Sequence, residues 1–175
     1  MRTRFFFMDQ DGTLPDMIGL RDFDIQGKRE IFTWEDSERM NDVTALYLDE
    51  SAGECAPDFI KSPVYMVSET ASGVFDMYED GLSWKKIVMI HKQEERQVVY
   101  YHLLLKEMEM LHELTEHYPN GMEKRLVLDL EKTGYHKAFL LKDSKVKLPV
   151  VSLEIVESLL RRHVTGVTFR EIEVA

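Results

Sequence analysis

Phe5-Phe6-Phe7-Met8-Asp9-Gln10-Asp11-Gly12-Thr13-Leu14 is the stretch on which the reading of this chain turns. An unbroken apolar run that ends in acids and a glycine reads as a strand passing into a polar turn. Two readings fit it. In one, Asp9 and Asp11 stand at a strand end, where the first carboxylate attacks phosphorus and the second serves as acid and base. Gly12 would then allow the sharp turn. In the other, the acids only solvate a turn that continues through Leu14-Pro15-Asp16, and no chemistry follows.

The string Asp-x-Asp-Gly-Thr-Leu behind a hydrophobic strand resembles the first motif of haloacid-dehalogenase-type phosphatases, which implies an Mg²⁺-dependent site with Asp9 as nucleophile and Asp11 as acid and base. Such a site also needs a hydroxyl residue at the end of a second strand, a lysine against the phosphate and further carboxylates around the metal. The strand Ile87 to Ile90 runs instead into His91-Lys92. The nearest acidic candidate is Asp129-Leu130-Glu131, whose alternation would put both carboxylates on one face of a strand. These enzymes are built on a parallel sheet with alternating helices, and the element order here differs. The expectation is therefore no catalytic residue, no cofactor and no metal, with the phosphatase kept as runner-up.

Strand-like runs dominate the chain: Thr3–Met8, Glu30–Trp34, Thr44–Leu48, Val64–Val67, Trp84–Ile90, Arg96–Leu105, Arg125–Leu130, Lys137–Leu141 and Val167–Val174. Turn residues punctuate them at Asp11-Gly12, Pro119-Asn120-Gly121 and Thr133-Gly134. One helix is predicted over Ser68–Tyr78, with Ala71, Val74, Phe75 and Tyr78 on one stripe and Gly81 ending it. A second follows Pro149, with Ser152 as N-cap, a stripe of Leu153, Val156 and Leu160 widened by Ile155 and Leu159, and Arg161, Arg162 and His163 at its C-terminus. Lys106–Tyr118 fits both periods and is read as helix. Successive strands with helices before and after them predict an α+β fold, a largely antiparallel sheet carrying two or three helices. The chain reads as one domain over 1–175, with a possible N-terminal subregion 1–63 ahead of a main sheet at 64–175.

At 175 residues, 44% hydrophobic and 31% charged, the chain has apolar material enough for a core. No apolar stretch nears the roughly 20 residues of a membrane span, and no secretory signal opens the chain, so a cytoplasmic location with no membrane association is expected. Cys55 is the single cysteine, which rules out an internal disulfide. The net charge is −10, and it is unevenly placed: Glu35 to Asp80 holds twelve acids and two bases, a deficit equal to that of the whole chain. An acidic surface repels nucleic acid and draws in a basic protein.

Other motifs carry less. The histidines of His112-Glu113-Leu114-Thr115-Glu116-His117 are five residues apart, so a helix would not bring both to one zinc ion. His102 in its apolar strand reads as a hydrogen-bonded core histidine. Lys124, Arg125, Lys132, Lys137, Lys142, Lys145 and Lys147, interspersed with Tyr135 and Phe139, have the composition of a single-strand nucleic-acid site, but overall acidity argues against one.

Four stretches carry a broader likeness: Phe6-Phe7-Met8-x-Gln10-Asp11 with Leu14-Pro15-Asp16; Pro57-Asp58-Phe59-Ile60-Lys61-Ser62-Pro63 leading to Val67-Ser68-Glu69; the middle strands; and Val150 to Leu160 followed by Gly166-Val167-Thr168-Phe169. In order and spacing the chain is similar to a family of bacterial immunity proteins of the polymorphic-toxin type, described from myxobacterial genomes and long carried as a domain of unknown function. That resemblance implies a non-enzymatic protein that neutralises a cognate toxin by binding it, with no catalytic residues to transfer. The candidate contacts are the acids Glu35, Asp36, Glu38, Asp42, Asp49, Glu50, Glu54 and Asp58, facing a basic toxin. A structural or regulatory protein-binding module is the remaining alternative.

Overall fold

A computed structural model describes residues 3–21 and 32–175. The opening apolar run is β1 (Phe5–Gln10) and lies inside a sheet, with neighbours on both sides. Phe5 and Phe7 pack toward Phe139, Val150 and Ile172, while Phe6 and Met8 face Val151, Ile155 and Leu159. A strand buried on both faces has no polar side to display, which is why the run does not alternate.

The chain continues through a 3-10 helix at Trp34–Arg39, β2 (Val43–Tyr47), β3 (Phe59–Ile60), β4 (Met66–Val67), α1 (Glu69–Tyr78), β5 (Ser83–His91) and β6 (Arg96–Leu104). Then come β7 (Glu107–Met108), β8 (Glu116–His117), β9 (Glu123–Arg125), β10 (Val127–Leu128), α2 (Leu130–Thr133), β11 (Ala138–Leu141), β12 (Val150–Ser152), α3 (Leu153–Arg161) and β13 (Val167–Val174). They form a six-stranded sheet in the order β10-β13-β1-β12-β11-β7, a five-stranded sheet in the order β2-β5-β6-β4-β3, and the ribbon β8-β9. The largest core joins Met8, Phe59, Val74, Phe75, Leu103, Leu140, Ile155 and Leu159, so both sheets and both longer helices share one interior. Residues 1–63 thus contribute strands to the two larger sheets.

The architecture is mixed and mostly antiparallel, as the element order predicts. Three pairs nonetheless run parallel: β2 with β5, β7 with β11 and β10 with β13. The crossover from β7 to β11 passes through the small ribbon, β10 and α2 rather than one long helix.

Local predictions fare unevenly. α1 starts where expected, the Ser68 hydroxyl accepting from Ala71 N at 3.2 Å, and buries Ala71, Val74 and Phe75. It stops at Glu79, and Gly81, at φ 75°, serves the turn into β5 instead. In α3 the buried side is Ile155, Val156 and Leu159, while Leu160 is 56% exposed. The Ser152 hydroxyl sits at the N-cap, buried, yet makes no cap bond. Lys106–Tyr118 is not helical. Its residues enter sheet pairing at β7, at the bridge Leu111–Leu128 and at β8, because burying Met110 against Phe5 and Phe139 favours an extended chain. Arg125–Leu130 divides into β9 and β10, and Asp129 caps α2 by accepting from Glu131 N and Lys132 N, so Asp129 and Glu131 are not partners on a strand face. Of Glu30–Trp34, the first two residues lie outside the described residues, and Trp34 opens the 3-10 helix.

His102 on β6 is 2% exposed and its Nε2 finds no hydrogen-bond partner, contrary to the bonded core histidine expected. Burial pushes its pKa from 6.5 down to about 4, with Asp36 opposing weakly. A base with a depressed folded pKa takes up its proton more readily when unfolded, so this contribution is present above the unfolded pKa and is lost as pH falls from 6.5 toward 4. His102→Leu should therefore flatten the pH dependence of stability across that window by about 3 kcal/mol and cost little at pH 8. Urea denaturation of both proteins at several pH values measures this, and parallel curves would refute it.

Candidate functional site

The two acids of the opening motif are held by the fold in separate local roles. Asp9 accepts an ion pair from Lys61 Nζ at 2.7 Å. Next to it, the Gln10 side chain accepts from Lys61 N at 3.1 Å, so the end of β1 is tied to the chain leaving β3. Asp11 Oδ1 accepts from Thr13 N at 2.9 Å and from the Thr13 hydroxyl at 2.6 Å, a closed turn in which those bonds hold its carboxyl below the usual carboxylate range. Gly12 has no positive φ, and a Cβ there would meet nothing within 4 Å. The turn therefore makes no use of the backbone freedom that Gly12 would allow. The left-handed residue nearby is Asp16, at φ 59°. Both neighbours of β1 are antiparallel to it, unlike the co-directional strands on which the dehalogenase-type site is assembled.

The histidine pair of 112–117 lies in a turn and in β8, where His112 Nδ1 accepts from Leu114 N at 3.1 Å. Among the described residues, no three His, Cys, Asp or Glu side chains converge as a metal site would require.

The basic run is largely neutralised where it stands. Lys124 pairs with Glu116 at 3.1 Å, Lys137 with Glu154 at 3.0 Å, Lys142 with Glu109 at 2.7 Å and Lys147 with Glu107 at 3.1 Å. Arg125 binds Glu173 at 2.9 Å, Lys132 pairs with Asp129 at 3.5 Å, and Lys145 donates to the Asn120 carbonyl. Of the two aromatics imagined as stacking platforms, Tyr135 is 77% exposed but Phe139 is core.

The acidic block behaves differently. Asp36 and Asp58 are half-buried and serve the fold. Asp36 accepts from Thr33 N at 2.9 Å and from Arg39 at 3.1 Å. Asp58 accepts from the Ser68 hydroxyl at 2.6 Å and from Thr165 N at 2.6 Å, latching β3 to the start of α1 and to the approach to β13. Asp42 pairs with Lys85 at 2.7 Å, and Asp49 closes a turn with Ser51 at 2.9 Å, contacts that lower both carboxyl pKa values. Glu35, Glu38, Glu50 and Glu54 are exposed, and among the described residues no basic side chain pairs with them.

Glu38 and Glu50 lie within about five residues of β2 in the chain, the first strand of the five-stranded sheet among the described residues. Val43 is 57% and Tyr47 44% exposed, with Ala45 exposed between them on the same face. The register carries that face onto Lys86, Val88 and Ile90 of β5 and Val99 and Gln97 of β6, none of them buried, and Lys92 Nζ lies over the Tyr47 ring at 4.2 Å. At the other end of the sheet α1 covers it, with Phe75 edge-on to Trp84 at 6.5 Å. Among the described residues this partly exposed face, apolar at its centre and bordered by Lys86 and Lys92, is the candidate contact surface. Sequence reading missed this surface, because strand alternation shows which residues share a face but not whether that face is covered.

One buried group had no sequence signal. Glu79, 6% exposed, ends α1 and accepts from Lys137 N at 2.6 Å, Ala138 N at 3.1 Å and His136 Nδ1 at 2.9 Å, joining the helix to β11.

No protein-family model matches the chain, and no curated protein is similar to it.

Asp58→Ala should cost about 2–4 kcal/mol, since it leaves the Thr165 amide and Ser68 hydroxyl without their charged acceptor. Denaturant midpoints at pH 7 measure this. An unchanged midpoint would show that Asp58 is available for binding rather than committed to the fold.

Proposed function

We propose that this chain is a non-enzymatic binding protein of the immunity type, which neutralises a cognate protein toxin by direct contact, and that the toxin is basic. The observation that supports this most is the partly exposed set Val43, Ala45, Tyr47, Val88, Ile90 and Val99, which shares one sheet face, with the exposed acids Glu38 and Glu50 close to β2 in the chain. Exposed acids and exposed apolar side chains lie close together in this part of the chain, whereas the basic residues of the C-terminal half are engaged by acids of the same region. A surface of that kind raises the rate of encounter with a basic protein, and burial of the apolar centre then slows dissociation. Among the described residues no helix is long and apolar enough to cross a membrane, which fits a partner met in solution.

The test is co-expression with the toxic product of an adjacent gene, followed by binding kinetics. Glu35, Glu38, Glu50 and Glu54 together reversed to lysine should slow association roughly tenfold or more at low salt and much less at high salt. An association rate unmoved at low salt would sink the electrostatic part of the reading. Survival of toxin-expressing cells without this chain would sink the whole. The competing phosphatase reading is separated by hydrolysis of a generic aryl phosphate with Mg²⁺. We expect no activity that Asp9→Asn removes, and a specific loss in that variant would reverse the assignment.

A further inference from the structure

Burying a carboxylate costs free energy unless hydrogen bonds offset it, and at Glu79 all the bonds that do so come from one short loop. Its oxygens accept from His136 Nδ1 at 2.9 Å, Lys137 N at 2.6 Å and Ala138 N at 3.1 Å. At the start of the loop Gly134 takes a positive φ of 53°, and His136 N donates to Thr133 O at 3.0 Å. Three consecutive amides are thus bonded, which fixes the path of the chain between α2 and β11. What this loop displays is Tyr135, at 77% the most exposed of the large apolar side chains among the described residues. The His136 imidazole lies against the ring, centroids 4.3 Å apart and planes tilted by 33°, so the tyrosine is held on one face and open to solvent on the other.

We infer that Tyr135 is a fixed aromatic platform that takes an arginine side chain of the protein partner on its open face. A ring face attracts a cation through its quadrupole, and the planar guanidinium can lie flat on it. Other rings of the chain are already covered in this way: Lys92 lies over Tyr47 at 4.2 Å, Lys106 over Trp34 at 4.9 Å, Arg4 over Phe6 at 5.3 Å and Arg170 over Phe7 at 5.0 Å. Among the described residues Tyr135 carries no such cation. The charges on the elements that hold the loop favour a cation too. Glu79, Asp80, Asp129, Glu131 and Glu154 stand against Lys132, Lys137 and Arg162. Each of these bases is engaged, Lys132 by Asp129 and the Leu111 carbonyl, Lys137 by Glu154 and Arg162 by Ser158. Asp80 and Glu131 are exposed and, among the described residues, have no basic partner. A nucleic-acid base could also stack on the ring, but its phosphates would meet this negative charge. The inference deepens the toxin-binding reading and rests on it only for the partner's identity.

The probe is a blocked Gly-Arg-Gly peptide, with the citrulline peptide as an uncharged control of the same shape, titrated into the full chain by NMR at low salt. The arginine peptide should shift the Tyr135 ring resonances saturably, and the citrulline peptide should bind at least roughly fivefold more weakly. Tyr135→Leu leaves the net charge unchanged and should abolish the response at the amides of 134–137. Glu79→Gln puts a donor where one acceptor oxygen stood, so it should loosen the loop and weaken arginine binding although the ring is untouched. Should that variant not fold, His136→Leu removes the supporting ring, keeps the amide bonds to Glu79 and should weaken binding in the same way. Equal binding of the two peptides would overturn the inference, as would an arginine response that persists in Tyr135→Leu or arginine affinity unchanged in the loosened variants. Ring shifts produced by a short single-stranded oligonucleotide instead would also end it. With the toxin of the adjacent gene, Tyr135→Leu should raise Kd roughly tenfold, through faster dissociation. The two readings fail separately. A toxin held equally well by Tyr135→Leu would end the platform and leave neutralisation standing, whereas arginine docking on Tyr135 with no toxin neutralised would do the reverse.

Discussion

Burial of β1 on both faces is the constraint from which the rest of the structure follows. Phe5 and Phe7 supply one core and Phe6 and Met8 the other, so the strand must lie inside a sheet with material above and below. β12 and β13 bracket it, and the C-terminal segments are thereby folded back onto the first residues of the chain. α3, which follows β12 directly, is brought against α1 and closes the shared interior. The acids that end β1 emerge where this packing stops. Their surroundings are those of a chain turning away from a sheet, with Asp9 held by Lys61 and Asp11 by its own turn.

The charge pattern takes on meaning only against that frame. In the C-terminal half, strand pairing sets acids beside bases, as with Arg125 beside Glu173 and Lys137 beside Glu154, and the field largely cancels at short range. Around β2, Lys85 pairs with Asp42 and Lys92 lies over Tyr47, while Glu35, Glu38, Glu50 and Glu54 are exposed and, among the described residues, without a basic partner. These exposed acids are the feature on which the proposed preference for a basic protein rests.

What the chain declares by itself is local. Ser68 and the stripe Ala71, Val74 and Phe75 mark α1, because a helix cap and a repeat near 3.6 residues need nothing beyond the helix itself. The β5–β6 hairpin and β13 are equally legible from their β-branched and aromatic runs. Where two periods compete, as from Lys106 to Tyr118, only the space available decides, and Met110 found its place in a sheet core. The same holds for α3, whose two candidate stripes differ by a small rotation that packing against β1 resolves in favour of Ile155 and Leu159.

The site divides along the same line. Sequence alone determined that the acids are concentrated between Glu35 and Asp80 and that the first strand is apolar throughout. Tertiary structure decided which acids are free, since Asp58 was drawn into a latch by residues at 68 and 165 that only folding brings near. It also decided that Glu79 is buried against β11 and that, among the described residues, the Nε2 of His102 has no hydrogen-bond partner. The physical reason is one of range. Periodicity and capping act within a few residues, whereas exposure, pairing and desolvation depend on neighbours that are distant in the chain.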